Sequence, residues 1–283
     1  MNRPLYVLTC CLVLILGWSL TVQGEPVALT FGVYTSDKPT TMYRTFIPIL
    51  TYIEDALDQQ GFDVHLHMRV YPSYTAAIED VAAGNCDIAR FGPASYVMTK
   101  AANPNIRLLV MEHNQNSKRF KGIFVVSKNS PIQSIRELRG KTFAFGNPDS
   151  TIGRYLAQAE LLKAGISAQT LKAYTYLGRH DKVAASVALG QYDVGVVKEN
   201  TYHKYAKSKG LKAIGTFLNV TKPWVVRADF DQSLFDALQQ VLLTLTDPAI
   251  LKGLKQDGFT ITQDADYNLV RDGMRLAQQF EAP

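Results

Sequence analysis

Apolar residues follow two alternating rhythms along this chain, and the switches between them predict how its layers are built. Residues 27–34 read VALTFGVY, a short and nearly continuous apolar run of the kind that forms a buried strand. A polar stretch over 35–41 breaks it, and a helical spacing then runs over 43–60 and stops at Gly61. Alternation of period two returns at 62–70. A helix over 75–83 ends at Gly84, and strands are predicted at 87–91, 106–111 and 122–127. The second half predicts a strand at 141–145, a helix over 153–164 closed by Gly165, and a strand at 174–177. A helix over 181–189 and a strand at 193–197 follow, and helices over 232–245 and 267–280 complete the chain. Strands alternating with helices predict α/β layers on parallel sheets.

One spacing occurs twice. Tyr74 precedes Gly84 by ten residues and Asp87 by thirteen, and His180 stands in the same relation to Gly190 and Asp193. Each stretch reads as a ring-bearing residue at a helix start, an alanine-rich helix, a terminating glycine, and a strand introduced by Asp. Tyr96 and Tyr202 then lie nine residues beyond the two aspartates. The repeat predicts two related α/β lobes facing each other, with equivalent helix starts lining a shared cleft. The expected division is residues 25–118 in the first lobe, 119–221 in the second, and 222–283 returning to the first and supplying the C-terminal helices.

The N-terminus changes the cellular picture. Arg3 is the only charged residue before Glu25, residues 5–20 are almost wholly apolar, and small or polar residues follow to Gly24. This is the layout of a cleavable secretory signal over 1–24, and the run falls short of the ~20 apolar residues that a spanning helix needs. The mature chain is therefore expected in the periplasm. Cys10 and Cys11 fall within the signal, which leaves Cys86 without an intramolecular disulfide partner. The formal charge of +5 comes from lysines and arginines dispersed along the chain, so no nucleic-acid partner is expected. A monomer is expected.

Candidate chemistry concentrates at residues 143–155, FAFGNPDSTIGRY. A strand enters a Pro-containing turn, and Ser150 and Thr151 stand at the start of the next helix. Such residues cap a helix, and the first-turn N–H groups with the helix dipole form a ready anion site. Gly153 lets backbone approach a ligand closely. His180 opens another predicted helix in the slot that Tyr74 occupies in the repeat, and Tyr74 and Tyr96 offer phenolic donors. Together these directed donors suit a tetrahedral oxyanion. No nucleophile elbow, HExxH or phosphate-binding GxxxxGK[ST] is present, so an enzyme is not expected. Cys86 reads as the first apolar position of a buried strand, and His65 and His67 as a solvated strand face lacking a third ligand. No metal and no cofactor are expected.

Residues from about 28 to 227 resemble the phosphate, phosphite and phosphonate transport binding proteins, the PhnD-like group. The resemblance runs through Tyr74 with Gly84-x-x-Asp87, Phe91-Gly-Pro-Ala-Ser-Tyr96, Phe145-Gly-x-Pro-Asp-Ser-Thr-x-Gly153 and Gly178-x-His180-Asp181. It implies a type II periplasmic-binding-protein fold, with two α/β lobes, paired crossovers and hinge closure on the ligand. It also implies ligand roles for Tyr74, Tyr96, Ser150, Thr151 and His180. Ile152 replaces a third hydroxyl found in aminophosphonate-binding members, and Lys198 and Glu199 are possible additional ligand residues. The implied function is capture of a small oxyanion and its delivery to an ABC-transporter permease. The alternative is a soluble subunit reporting an oxyanion or arsenite to a membrane sensor kinase.

Overall fold

The opening apolar run becomes β1 (Val27–Tyr34), which pairs in parallel with β2 (Val64–Tyr71) on one side and β3 (Ile88–Arg90) on the other. Crossovers run through α1 (Pro39–Asp58) and α2 (Tyr74–Ala82), and α3 (Pro93–Ala102) leads to β4 (Arg107–His113). The computed structural model describes residues 25–35, 38–114 and 116–282, so the expected signal over 1–24 lies outside the described residues. Among the described residues no helix is long and apolar enough to cross a membrane.

A second sheet begins with β5 (Arg119–Ser127) and β6 (Thr142–Phe145). A π-helical turn over Thr151–Tyr155 feeds α4 (Leu156–Lys163), followed by β7 (Ala173–Tyr176) and α5 (His180–Ala188). Then come β8 (Val194–Lys198), α6 (Glu199–Lys209) and β9 (Leu211–Val220). The chain returns to the first sheet with β10 (Pro223–Val226), α7 (Gln232–Thr244), the one-turn α8 (Pro248–Leu251) and β11 (Gly258–Thr260). It closes with α9 (Asn268–Ala277).

The strand orders are β11-β4-β10-β3-β1-β2 and β7-β6-β8-β5-β9. Dropping the edge strand β11, both sheets have one topology, so the protein is a pair of α/β lobes. The sheets are mixed, which corrects the expectation of parallel ones: β10 runs antiparallel to β3 and β4, and β5 runs antiparallel to β8 and β9. The antiparallel members flank the passages between lobes. Local patterning does not carry that information, because a strand's period says which face is buried and not which neighbour it takes.

The duplicated spacing has a physical basis. Asp87 precedes β3 and accepts the Thr30 N–H of β1 at 2.7 Å, and Asp193 precedes β8 and accepts the Thr142 N–H of β6 at 2.8 Å. The registers match as well, Phe31 opposite Ile88 and Phe143 opposite Val194. Gly84 and Gly190, at φ +82° and +70°, end the preceding helices in the left-handed region that favours glycine. Each sheet buries an apolar layer on both faces. Trp224, Phe31 and Phe46 anchor one layer of the first lobe, and Phe124, Phe143 and Phe145 one layer of the second.

Residues 116–118 and 221–222 lie on the two passages between the lobes. The Thr221 N–H donates to the Lys118 carbonyl at 2.9 Å and the Glu112 N–H to the Lys222 carbonyl at 3.0 Å, so the two passages are tied together. The C-terminal segment also bridges the lobes. It was expected on the first lobe, yet α9 lies against α3 of the first and α4 of the second, and Phe280 is fully buried in the second core. Gly273 permits this approach, since a Cβ there would fall 2.3 Å from Leu156 Cδ2. Phe280→Ala is expected to cost about 3–5 kcal/mol of stability in a urea titration. A wild-type midpoint and slope would show that this contact contributes nothing.

Candidate functional site

The C-terminal ends of β1, β3, β6 and β8 face one another across the cleft, and the elements that follow supply the lining, as at the strand ends of other open α/β sheets. On the first lobe Ser73 caps α2 by accepting the Ala76 N–H at 3.0 Å, which fixes Tyr74 at the first helical position. The Tyr74 ring stacks on Tyr34, with centroids 3.7 Å apart. The Tyr34 hydroxyl oxygen accepts the Gly92 N–H at 2.5 Å and the Ser95 hydroxyl at 3.2 Å, pinning the start of α3. Gly92 is required there, because a Cβ would lie 2.6 Å from that oxygen.

On the second lobe Ser150 Oγ accepts the Gly153 N–H at 2.9 Å. Thr151 Oγ1 accepts the Ala94 N–H of α3 at 2.8 Å, and Thr75 donates to Asp149 Oδ2 at 2.9 Å. Both bonds join one lobe to the other, so the cleft is closed. His180 opens α5 and is buried. Burial, with Lys198 and Lys222 nearby, pushes its pKa down to about 3 against a hydrogen bond to the Val196 carbonyl. Its imidazole is therefore neutral at physiological pH, and Nδ1 has no hydrogen-bond partner.

These groups line a cavity of ≈ 40 Å³. Tyr34, Tyr74 and the start of α3 form one wall, and Ser150, Thr151 and His180 form the facing wall. Among the lining residues that sequence reasoning missed are Tyr34, Arg90, Asn219 and Lys222. Asn219 is fully buried on β9, and neither its Oδ1 nor its Nδ2 has a partner. An amide left with both ends unpaired is costly unless something else occupies the cavity. Its polar side chain within the run Phe-Leu-Asn-Val was the one sequence signal for it. Arg90, within Ile-Ala-Arg-Phe, carried the same signal, whereas Lys222 follows Thr221 and carried none.

The electrostatics are one-sided. Arg90 makes a two-pronged pair with Glu112, Nε to Oε1 at 2.7 Å and Nη2 to Oε2 at 3.0 Å. Burial alone would push Glu112 up, but Arg90 and Lys222 outweigh it and hold the carboxyl below its ordinary range. Lys222 lies on the returning passage, and burial, followed by repulsion from Arg90, lowers its pKa to about 7. Lys198 borders the same space.

Three expected site residues stand elsewhere or act differently. Tyr96 is fully buried, donates to Asp264 Oδ1 at 2.7 Å and packs on Tyr267, so its hydroxyl is used between α3 and the C-terminal segment. Gly153 is outside the cavity lining. It packs on Gly146, whose Cα would be 2.9 Å from an added Cβ, so its small size serves the backbone contact. Glu199 accepts the Lys121 N–H at 3.1 Å and borders a larger neighbouring cavity. Lys198 borders both cavities.

Cys86 is buried behind β1 with its thiol donating to the Ile88 carbonyl at 3.2 Å, and burial pushes its pKa up to about 11. His65 and His67 lie exposed on β2, with His65 Nδ1 3.0 Å from Glu54. Among the described residues no group of three or more His, Cys, Asp or Glu is placed to hold a metal.

Burial lowers the folded-state pKa of Lys222 beneath its unfolded value, so between about pH 7 and the ordinary lysine range the unfolded chain binds more protons. Stability from this group therefore rises with pH across that window. Lys222→Met, which leaves Arg90 to pair Glu112, is expected to melt above the wild type at pH 6 and by less at pH 9. Equal differences at both pH values would contradict the charge burial.

Relatives of known structure share this architecture. The chain is 25% identical over 246 residues to a probable ABC transporter phosphite binding protein, PhnD1, of Prochlorococcus marinus, covering 81% of this chain and 80% of the relative. It is 22% identical over 255 residues to the phosphate-import protein PhnD of Mycolicibacterium smegmatis, covering 85% and 78%. The solved structure of the Prochlorococcus PhnD1 with methylphosphonate superposes with a TM-score of 0.80 at 22% identity, over 90% of this chain and all of that one. The family described as "ABC transporter, phosphonate, periplasmic substrate-binding protein" matches residues 31–267. The chain therefore belongs to the family of periplasmic substrate-binding proteins of phosphonate ABC transporters.

Proposed function

We propose that the small cavity binds the tetrahedral head of a phosphite, phosphonate or phosphate-like oxyanion, and that the protein delivers this ligand to an ABC-transporter permease. The observation carrying this reading is the convergence, in one cavity between the lobes, of unpaired buried polar atoms and basic side chains. His180 Nδ1 and the Asn219 amide lack partners, and Arg90, Lys198 and Lys222 face the space. Since one water needs roughly 10–15 Å³ on this measure, a cavity of ≈ 40 Å³ suits a single compact ion.

In this reading Tyr74, Ser150 and Thr151 supply hydroxyl contacts, and the starts of α2, α3 and α5 contribute their helix dipoles. Neutral His180 and Asn219 supply directed contacts, while Arg90, Lys198 and Lys222 balance the ligand's charge. Thr151 has a double role, because its hydroxyl also holds the cleft shut. Residues 25–118 with the returning strands β10 and β11, and residues 119–221, would move as the two lobes about the tied passages, with α9 and Phe280 bridging them. Export through a cleavable signal over 1–24 and a monomeric state complete the reading. A catalytic reading has no Ser150–His180 hydrogen bond to support it: among the described residues Ser150 Oγ accepts the Gly153 N–H and bonds Tyr74, and His180 Nδ1 has no partner. An arsenite reading lacks a thiol at the site, since Cys86 is outside the cavity lining.

Asn219→Leu tests the reading directly. If Asn219 pairs with the ligand, replacing it removes an uncompensated polar group from the free protein and a hydrogen bond to charge from the complex. The ligand-free melting temperature is expected to hold or rise, while calorimetry with phosphite, methylphosphonate and phosphate shows binding weakened by roughly tenfold or more, from about 1.5–3 kcal/mol. Unchanged affinity would remove Asn219 from the site. Failure of the wild type to bind any of the three ions would overturn the proposed function.

A further inference from the structure

The small cavity has a larger neighbour. Arg90, Phe120, Lys198 and Lys222 border both it and a second cavity of ≈ 180 Å³ that continues toward α6 and the segment after α8. A cavity of roughly 150 Å³ accepts a benzene ring, so this space is large enough for a substituent of several heavy atoms. Beyond the shared residues it adds Lys204 and Lys255 to the positive side, and Glu199 is the one acidic residue in its lining. Gln256 is also in its lining, more than nine-tenths buried, and its Oε1 has no hydrogen-bond partner.

We infer that the second cavity is a subsite for the ligand's tail and selects organic oxyanions whose tail carries a second acidic group, a carboxylate or another phosphoryl. This rests on the reading that the small cavity holds the head group. The shared wall of Arg90, Lys198 and Lys222 places cations between the two groups, where each acidic end gains from them. A tail amine would instead meet this cationic wall with Glu199 as its only carboxylate partner in the lining, and that carboxylate already accepts the Lys121 N–H. The unpaired Gln256 oxygen adds an acceptor, which a hydroxyl or N–H in the tail would satisfy.

The test is calorimetric titration of the mature protein with methylphosphonate, 3-phosphonopropionate and 2-aminoethylphosphonate, repeated at raised salt. The carboxylated probe is expected to bind at least tenfold more tightly than the aminated one, with the gap narrowing as salt screens the charges. Lys204 is exposed on α6, so Lys204→Glu leaves the fold intact. It should shrink or reverse the carboxylate preference while methylphosphonate affinity stays within about twofold. If methylphosphonate binds but the carboxylated probe binds no better than the aminated one, the tail subsite is wrong and the oxyanion site stands. The subsite is equally overturned if Lys204→Glu leaves the preference unchanged. If none of the three binds, the head-group site fails and the subsite fails with it.

Discussion

Enclosing Lys222 beside Arg90 and Lys198 is electrostatically unfavourable, and the buried Glu112 offsets only part of the charge. Taking charge out of water costs several kcal/mol per ion unless an opposite charge and hydrogen bonds replace the lost hydration. Much else in the cleft follows from this constraint. His180 cannot afford a proton among such neighbours and stays neutral. Lys222 yields its own proton near neutrality. The cavity lining carries basic side chains and no acidic one, which suits an anion.

Closure uses atoms at the cavity wall. Thr151 accepts an N–H from α3, and Thr75 donates to Asp149, so contacts that join the lobes lie against the cavity or beside it. The first lobe's wall is held by Tyr34, which fixes the start of α3 through Gly92 and supports Tyr74 by stacking. A displacement at the ligand position would reach both lobes through these few short links. The two passages between the lobes are tied by the Thr221–Lys118 and Glu112–Lys222 backbone hydrogen bonds, and Lys222 sits on one of them. The C-terminal segment adds a further link, from Tyr96–Asp264 on the first lobe, past Lys118–Asp266 at a passage, to Phe280 in the second core.

The internal repeat shows how one local design was adapted twice. Asp87 and Asp193 clamp equivalent strands through equivalent N–H groups, and the helices opened by Tyr74 and His180 both start at the cleft. The differences lie in what each helix start presents, a phenol stacked on another phenol in one lobe and an imidazole with a free nitrogen in the other. Ile152 follows the Ser-Thr pair and lines the cavity, which adds an apolar contact in place of another hydroxyl.

The chain's local chemistry was sufficient to place β1, the alternating layers, the paired Gly–Asp spacings, and Ser150, Thr151, Tyr74 and His180 at element starts. Those features depend on neighbours within a turn or two, where periodicity, capping and left-handed glycines act directly. The mixed sheets, the cationic wall and the fate of Tyr96 depend on contacts far apart in the chain. Tyr96 meets Asp264 across 168 residues, Arg90 meets Glu112 through β-strands whose neighbours are set by the return of β10, and Asn219 becomes unpaired only when β9 is packed. Gly153 reads locally as room for a ligand, yet tertiary packing uses that room for Gly146. A sequence period specifies which side of an element turns inward. Only the assembled lobes determine which side chain waits there, and whether it has found a partner.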